Sequence, residues 1–133
     1  IIVPHTLVYT GLRWHVRAWC EKNREYRDFV LSRFRDRPEI LDDSERGIDG
    51  DTEWNTMVSI RIVPDPRLSI EQQRVVEVDY GMQSGALEVT TRGKLVPYAL
   101  KLLHVDPTVR HSDPTAQQIV VENSEALKPW LFD

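Results

Sequence analysis

The sequence RWHVRAWC at residues 13–20 decides the fold of the first part of this chain. Its β-branched, aromatic and charged residues alternate with a period of two, which is typical of a strand. The two faces of such a strand differ in chemistry. The apolar face carries Trp14, Val16, Ala18 and Cys20, and the cationic face carries Arg13, His15, Arg17 and Trp19. We therefore expect Trp14 to pack in a core and the cationic face to be available for binding.

Short strands are also predicted on both sides of this stretch. Residues 1–3 and 6–10 form two of them, with Pro4 between. After a polar turn at residues 21–25, residues 26–34 form another, with Arg27 and Arg33 on one side. Four short strands with tight connections favour a small antiparallel barrel or a highly bent sheet.

The second half of the chain alternates strands and helices. Strands are predicted near residues 54–63, 87–91 and 118–121, and helices at about 69–80 and 95–103. Ser69 and Gln72 form a capping box at the start of the first helix, and Gly81 ends it. Residues 35–53 are rich in charged residues and glycine without a sustained period, which indicates an exposed linker and a domain boundary.

The charge of the chain is unevenly distributed. The net charge over 133 residues is −4. Residues 1–37 hold eight Arg or Lys and four Asp or Glu, residues 38–66 hold two and eight, and residues 67–133 hold seven and nine. The basic first third points to an anionic partner, although a mixed solvated surface gives the same balance.

Composition also indicates a compartment. Cys20 is the only cysteine, which excludes an internal disulfide and favours a reducing cytoplasm. No apolar run reaches the ~18 residues of a membrane span, so we expect no membrane partner. No signal peptide is found at the start of the sequence. The chain begins with the apolar residues Ile1, Ile2 and Val3 and has no initiator Met, so we expect it to be a piece of a longer chain.

Sequence motifs of enzymes are mostly absent. The chain has no glycine-rich phosphate loop, no GxSxG, no HExxH and no cysteine pair at zinc spacing. His5, His15 and Asp28 could meet across strands as a metal-dependent hydrolase site, which is kept as an alternative. We otherwise expect no catalysis, no metal and no cofactor.

Basic and aromatic side chains recur along the predicted strands, and several of them can share one surface. Arginine offers paired donors to phosphate, and aromatic rings stack on bases, as in small barrels that hold single-stranded nucleic acid. The alternative is that the arginines are solvated or paired with nearby carboxylates. The candidate ligand-binding residues are His5, Arg13, His15, Arg17, Arg27 and Arg33, with Trp19 beside them.

These segments resemble a known family. Residues 4–9, Gly11, 13–16, 26–29 and 32–34 are similar to the second half of a WYL domain, which occurs in bacterial transcriptional regulators. Residues 64–66, Leu68, Gln72, 79–82, Arg92, Leu95, Tyr98, Leu100 and Leu103 are similar to its C-terminal extension. The resemblance covers nearly the whole chain and is strongest to the BrxR/CapW-like regulators that repress phage-defence operons.

The resemblance implies a fold and a function. WYL domains have an Sm-like, SH3-type barrel that senses single-stranded DNA or another nucleic-acid-derived ligand through basic and aromatic residues. By position, the Trp-Tyr-Leu signature corresponds to residues 14–16, with His15 in place of tyrosine, and the family's arginines correspond to Arg27 and Arg33. The resemblance further implies a homodimer, and operator contact through a winged helix-turn-helix that, with the first barrel strand, precedes this sequence.

The expected fold class is therefore α+β, with a partial Sm-like/SH3-type barrel followed by a small α/β extension. The barrel occupies residues 1–37, an acidic linker residues 38–53, and a dimerising extension residues 54–133. The apolar residues Trp130, Leu131 and Phe132 would close that extension or meet a second copy. The expected function is effector sensing and dimerisation in a regulator; an oligomerisation module without a ligand is the alternative.

Overall fold

The computed structural model describes residues 1–131. The chain forms two compact units, Ile1–Asn55 and Thr56–Asp133. Phe132, which the sequence places in the apolar C-terminal cluster, lies outside the described residues. Each unit contains one three-stranded antiparallel sheet.

The first unit is built on the strands β1 (Ile2–Tyr9), β2 (Trp14–Cys20) and β3 (Glu25–Val30), in that order across the sheet. The break predicted at Pro4 is a shift of register between Pro4 and Thr6 within one continuous strand. A proline lacks the N–H that a regular ladder needs, and a bulge accommodates this without ending the strand. The sheet therefore has three strands where the sequence predicted four.

The third strand is shorter than expected. Residues Leu31–Arg33 form a turn of 3₁₀ helix, so the strand predicted to reach residue 34 ends at Val30. Arg33 consequently lies outside the sheet. Strand periodicity therefore no longer applies to Arg33.

Both faces of the central strand β2 are buried. Val16, Ala18 and Cys20 are buried on one face, and His15, Arg17 and Trp19 on the other. Trp14, which we expected in the core, is 49% exposed at the start of the strand and packs against Tyr9, with ring centroids 5.1 Å apart. A residue at a strand end has neighbours on fewer sides, which alternation alone does not reveal.

The last residues of the first unit fold back into it. Residues 35–50 are exposed, as expected for a linker. Asp51 and Trp54, in contrast, are buried, and Thr52–Asn55 form the short helix α1 in place of the start of a strand. The end of the predicted linker is therefore part of the first unit.

The second unit contains three strands and three helices. Its sheet is antiparallel throughout, and the strand that comes first in the chain lies between the other two. The elements in chain order are β4 (Met57–Pro64), α2 (Ile70–Asp79), β5 (Leu87–Arg92), α3 (Val96–Leu102), β6 (Ile119–Val121) and α4 (Ser124–Leu127). The predicted helices and strands of this half are found within a few residues of their expected ends.

Helix α2 begins and ends at the predicted signals. The Gln72 N–H donates to Ser69 Oγ at 3.1 Å, and the Ser69 N–H donates to the Gln72 side chain at 2.9 Å. This capping box satisfies two backbone groups that the first turn leaves unpaired. After the helix, Gly81 has a φ of +62°, a conformation that glycine adopts without strain.

The core of the second unit is apolar. It is formed by side chains from both the sheet and the helices: Ile60, Ile62, Leu68, Val76, Val96, Leu100, Val105, Ile119 and Leu127. Trp130 packs against this core, and its ring lies so close to Gly93 that a Cβ there would be 2.3 Å from a ring carbon. Trp130 therefore belongs to the packing of its own unit.

The fold class is α+β, with two three-stranded antiparallel sheets and four helices among residues 1–131. Neither sheet closes into a barrel within the described residues, so the Sm-like barrel stays a prediction. No helix in this part of the chain combines the length and apolar character that a membrane crossing requires.

Candidate anion-binding site

The site is centred on Arg17, which is 1% exposed in the middle of β2. Its guanidinium makes a forked contact with one carboxylate: Nε donates to Asp51 Oδ2 at 2.7 Å and Nη2 donates to Asp51 Oδ1 at 3.0 Å. Paired donors at this spacing match the two oxygens of a carboxylate or a phosphate. The guanidinium of Arg17 therefore forms a buried anion-binding site in the first sheet, and the Asp51 carboxylate is the anion bound there.

His5 completes the contact with Asp51. It has no register partner in β2, because it lies at the bulge between Pro4 and Thr6. His5 Nε2 is 2.9 Å from Asp51 Oδ2, and the ring packs against Trp54 and Tyr26 at centroid distances of 5.7 and 5.8 Å. The bulge thus gives the site a second nitrogen donor.

Asp51 is also 1% exposed and joins the sheet to helix α1. Its Oδ1 accepts the Trp54 N–H at 3.2 Å, in the manner of a helix N-cap. Burial raises the pKa of Asp51, but the hydrogen bonds from Arg17 and His5 lower it by more, so the pKa lies below its ordinary value. The carboxylate is therefore ionised and fully hydrogen-bonded at neutral pH.

A second carboxylate lies on the other side of Arg17. Asp28, opposite Arg17 in β3, has Oδ1 3.5 Å from Arg17 Nη1. Burial lowers the pKa of Arg17, and the Asp51 and Asp28 carboxylates raise it by more. Two carboxylates therefore surround one guanidinium.

His15 lies at the edge of this cluster. Its Nε2 is 3.7 Å from Asp28 Oδ1. Burial lowers the pKa of His15, Asp28 opposes this, and the positive charges of Arg17 and Arg13 add to the lowering. The pKa of His15 therefore lies below its ordinary value, so His15 gains charge at a lower pH than a solvent-exposed histidine.

Trp19 extends the same face of the sheet. Arg46 lies 4.3 Å from its ring centroid, in a cation–π arrangement, and Tyr26 packs edge-on at 5.1 Å. Tyr26 Oη donates to the Gly47 carbonyl at 2.7 Å. Among the described residues, the buried Nε1 of Trp19 has no hydrogen-bond partner. Residues 46–54 thus cover the cationic face predicted from the sequence.

The structure brings some of the predicted ligand-binding residues together and separates others. His5 and Arg17 contact the same carboxylate, and His15 adjoins them. Arg13 is exposed at the start of this face, and its charge acts on His15. Whether these residues bind a ligand stays a prediction.

Arg27 and Arg33 lie elsewhere. Arg27 is opposite Ala18 in the register of β2 and β3, so it lies on the other face of the sheet from Arg17, where it pairs with Glu25. Arg33 lines a shallow cleft beside Phe29 and Phe34. Arg17 and Arg27 therefore do not share one face of the sheet as candidate ligand-binding residues, because Asp28 lies opposite Arg17 and the adjacent Arg27 faces the other side.

The geometry does not favour the hydrolase alternative. His5 contacts Asp51 and His15 contacts Asp28, so the two histidines have different carboxylate partners. Within residues 1–131, no group of three or more His, Cys, Asp or Glu side chains is placed to hold a metal ion.

Asp51 and Trp54 are the residues of the site that the sequence analysis missed. A local signal for Asp51 exists, because Asp followed by the helix-forming Thr52–Asn55 segment is a typical N-cap. Its pairing with Arg17, 34 residues earlier, has no local signal. The acidic composition of this segment favoured solvent exposure instead.

Comparisons with known proteins give the family. Residues 1–38 match the WYL domain, and residues 57–127 match the C-terminal dimerization domain of the BrxR transcriptional regulator. The chain belongs to the BrxR family of transcriptional regulators. The dimerization domain of this BrxR-family chain is the apolar second unit, and the WYL segment contains Arg17 and His5.

Curated relatives share the full extent of this sequence. A DNA-binding transcriptional repressor CapW of Escherichia coli (strain KTE188) is 39% identical over 130 residues, which cover 98% of this chain and 43% of that protein. The repressors of the same name from Stenotrophomonas maltophilia and Pseudomonas aeruginosa are 37% and 35% identical, with 98% of this chain and 44% of each protein covered. The chain thus spans less than half the length of these relatives.

Proposed function

We propose that this chain is the effector-sensing and dimerising part of a transcriptional repressor that works in the cytoplasm. The effector is a nucleic-acid-derived anion, either short single-stranded DNA or a nucleotide, and it binds the WYL segment. The observation that carries the proposal is the forked contact of the buried Arg17 with a single carboxylate. A site that holds a carboxylate in this way has the donors that a phosphate needs.

The residues beside Arg17 favour a nucleic-acid-derived ligand over a simple anion. Trp19 and Tyr26 lie on the same face of the sheet as Arg17, and base stacking on aromatic rings is how proteins hold single strands. Arg13 adds an exposed positive charge next to His15. We therefore assign the phosphate to His5, Arg13, His15 and Arg17, and the base to the aromatic rings.

Dimerisation and DNA contact complete the proposal. The family match of residues 57–127 supports a homodimer through the second unit. The relatives named DNA-binding transcriptional repressors support repression of an operator. The proposal adds, from the family resemblance of the sequence, a winged helix-turn-helix in the intact protein and control of a phage-defence operon. The effector would act by binding the two arrangements of the dimer with different affinities.

The experiment compares two exposed arginines on opposite faces of the first sheet. A labelled short oligothymidylate is titrated against the intact protein, its Arg13→Gln variant and its Arg27→Gln variant at several salt concentrations. We expect Arg13→Gln to weaken binding severalfold and to reduce the salt slope by roughly 0.7, the contribution of one phosphate contact on a single strand.

Arg27→Gln is the matched control, because it removes the same charge from the other face. We expect it to leave affinity within about twofold of the unmodified protein, since a long-range charge effect is screened over roughly 10 Å at 0.1 M salt. Equal weakening by both variants, or no binding at any salt concentration, would overturn the proposed site.

One observation favours a second candidate, an oligomerisation module without a ligand. Arg17 is already neutralised by Asp51 and Asp28 in this structure, as a purely structural arginine would be. Sedimentation of the intact protein separates the two functions. A module without a ligand would show the same dimer and no comigrating oligonucleotide, whereas a sensor would carry the oligonucleotide with it.

A further inference from the structure

Asp51 occupies the position that the proposed effector needs. Its two oxygens take both donors of the Arg17 fork and the Nε2 of His5. Because Arg17 is 1% exposed, a phosphate cannot reach the guanidinium while Asp51 remains there. The ligand and this carboxylate therefore exclude each other.

We propose that Asp51 is an internal competitor of the effector: the effector phosphate displaces the Asp51 carboxylate from Arg17 and His5 and thereby releases residues 48–55 from the first sheet. This inference rests on the proposed effector site. It adds that the unliganded site is closed by the chain's own acidic segment.

Replacement of the Asp51 carboxylate by a phosphate keeps the charge of Arg17 neutralised. Loss of the Asp51 carboxylate alone would leave Arg17 buried and less neutralised, which is costly. A phosphate brings equivalent oxygens and at least equal negative charge to the same donors, so the guanidinium stays paired throughout. Displacement by an anion is therefore favoured over spontaneous opening.

Residues 48–55 have a short helix and an exposed connection on their N-terminal side, which favours their release. The residues before this segment, 35–47, are exposed, and α1 has only four residues, too few to be stable as an isolated helix. Asp51 and Trp54 are its buried side chains. Its contacts with the sheet include the buried fork from Arg17 to Asp51 and the packing of Trp54 on His5.

Release of this segment has an effect along the chain. Residues 48–55 end the first unit, and Met57 begins β4 of the dimerization domain. Effector binding would therefore change the connection between the sensing and dimerising parts. This supplies the differential affinity for two states that a regulator requires.

The test uses one carboxylate inside the site and one just outside it. Asp51→Asn keeps the shape of the side chain but removes its charge, whereas Asp49→Asn removes the same charge from an exposed residue of the same segment. The labelled oligothymidylate is titrated against the intact protein and both variants. We expect Asp51→Asn to bind at least about fivefold more tightly, because more of the protein is in the open state, and Asp49→Asn to match the unmodified protein.

The possible results separate this inference from the proposed function. Equal affinities in all three proteins would overturn the competition and leave the effector site standing. Equal tightening by Asp51→Asn and Asp49→Asn would also overturn it, since general electrostatics would then explain the change. If none of the three binds the oligonucleotide, both the site and the competition fail.

A second variant tests displacement without changing charge. Trp54→Leu weakens the packing of the segment on His5 but keeps Asp51. We expect it, too, to tighten binding of the oligonucleotide, and we expect amides of residues 48–55 to exchange hydrogen faster when the oligonucleotide binds the unmodified protein. Slower exchange of these amides on binding would contradict release of the segment.

Discussion

The two units of this chain are stabilised in different ways. The second unit encloses an apolar core of Ile, Leu and Val side chains from its sheet and helices. In this unit the buried carboxylate of Asp65 pairs with the partly exposed Arg67. The first unit buries a charged pair, Arg17 and Asp51, in the middle of its sheet.

The buried ion pair of the first unit and the apolar core of the second fit the different functions that we propose for the two units. Buried ion pairs contribute little net stability compared with apolar side chains of the same size. A domain that only dimerises therefore has no need of one. The exchange of anions that we propose for the first unit needs a buried cation, which Arg17 supplies.

Removal of the buried cation should have the largest effect. Arg17→Met leaves the Asp51 carboxylate buried without its main partner, which costs about 3–5 kcal/mol of the free energy of unfolding of the first unit. Urea unfolding followed by tryptophan fluorescence measures this, because Trp14, Trp19 and Trp54 lie in that unit. A loss under about 1 kcal/mol would mean that Asp51 is well solvated without Arg17.

The corresponding change in the second unit is a cavity in its core. Ile62→Ala, at a fully buried position of β4, should cost about 3 kcal/mol of unfolding free energy. Hydrogen exchange of the amides of β4 measures it, and amides of β2 serve as the control. Equal acceleration of exchange in both strands would show that the units unfold together and would weaken the contrast between them.

A helix cap should have a smaller effect. Ser69→Ala removes the side-chain acceptor of the capping box, so we expect a loss of about 1 kcal/mol in the second unit. Thermal unfolding followed by circular dichroism measures the change, with Ser69→Asp as the variant that retains a capping oxygen. An identical loss in both variants would indicate that the contact with Gln72 has no capping role.

The smallest predicted effect is a dependence on pH that comes from His15 in the first unit. Because the pKa of His15 is lower in the folded chain than its unfolded value near 6.5, the folded state favours neutral imidazole. The resulting stability is present above pH 6.5 and is lost as the pH falls through the folded pKa. Hydrogen exchange in β2 should therefore accelerate as the pH falls below 6.5, after correction for intrinsic rates.

His15→Gln is the control for this dependence. It should show a flatter profile over the same range, because glutamine does not titrate. Asp51 contributes only at lower pH, since its own depressed pKa places its loss below about pH 4. A profile of the same slope in His15→Gln would assign the dependence to another group.

The sequence predicted the second unit better than the first. Local signals determine its elements: the Ser69 cap, the Gly81 stop and the spacing of apolar residues in α3. In the first unit, alternation correctly separated the two faces of β2. It could not show that Asp51 returns to cover one of them, because that contact depends on tertiary folding.

The same limit applies to the candidate site. The shared face of His15, Arg17 and Trp19 follows from the period of a strand, and these residues do share it. Arg27 and Arg33 lie away from Arg17 because the register of β3 places Arg27 on the other face and because β3, predicted to reach residue 34, ends at Val30. The register between strands and the end of a strand are set by partners that a single segment does not reveal.

The most direct test of this account is a double-mutant cycle on the buried pair. It measures the free energy of unfolding of the first unit in the unmodified protein, Arg17→Met, Asp51→Leu and the combined variant. The account predicts a coupling energy of at least about 2 kcal/mol, with the combined variant more stable than either single variant. A coupling energy below about 0.5 kcal/mol would contradict it, because the two changes would then be independent.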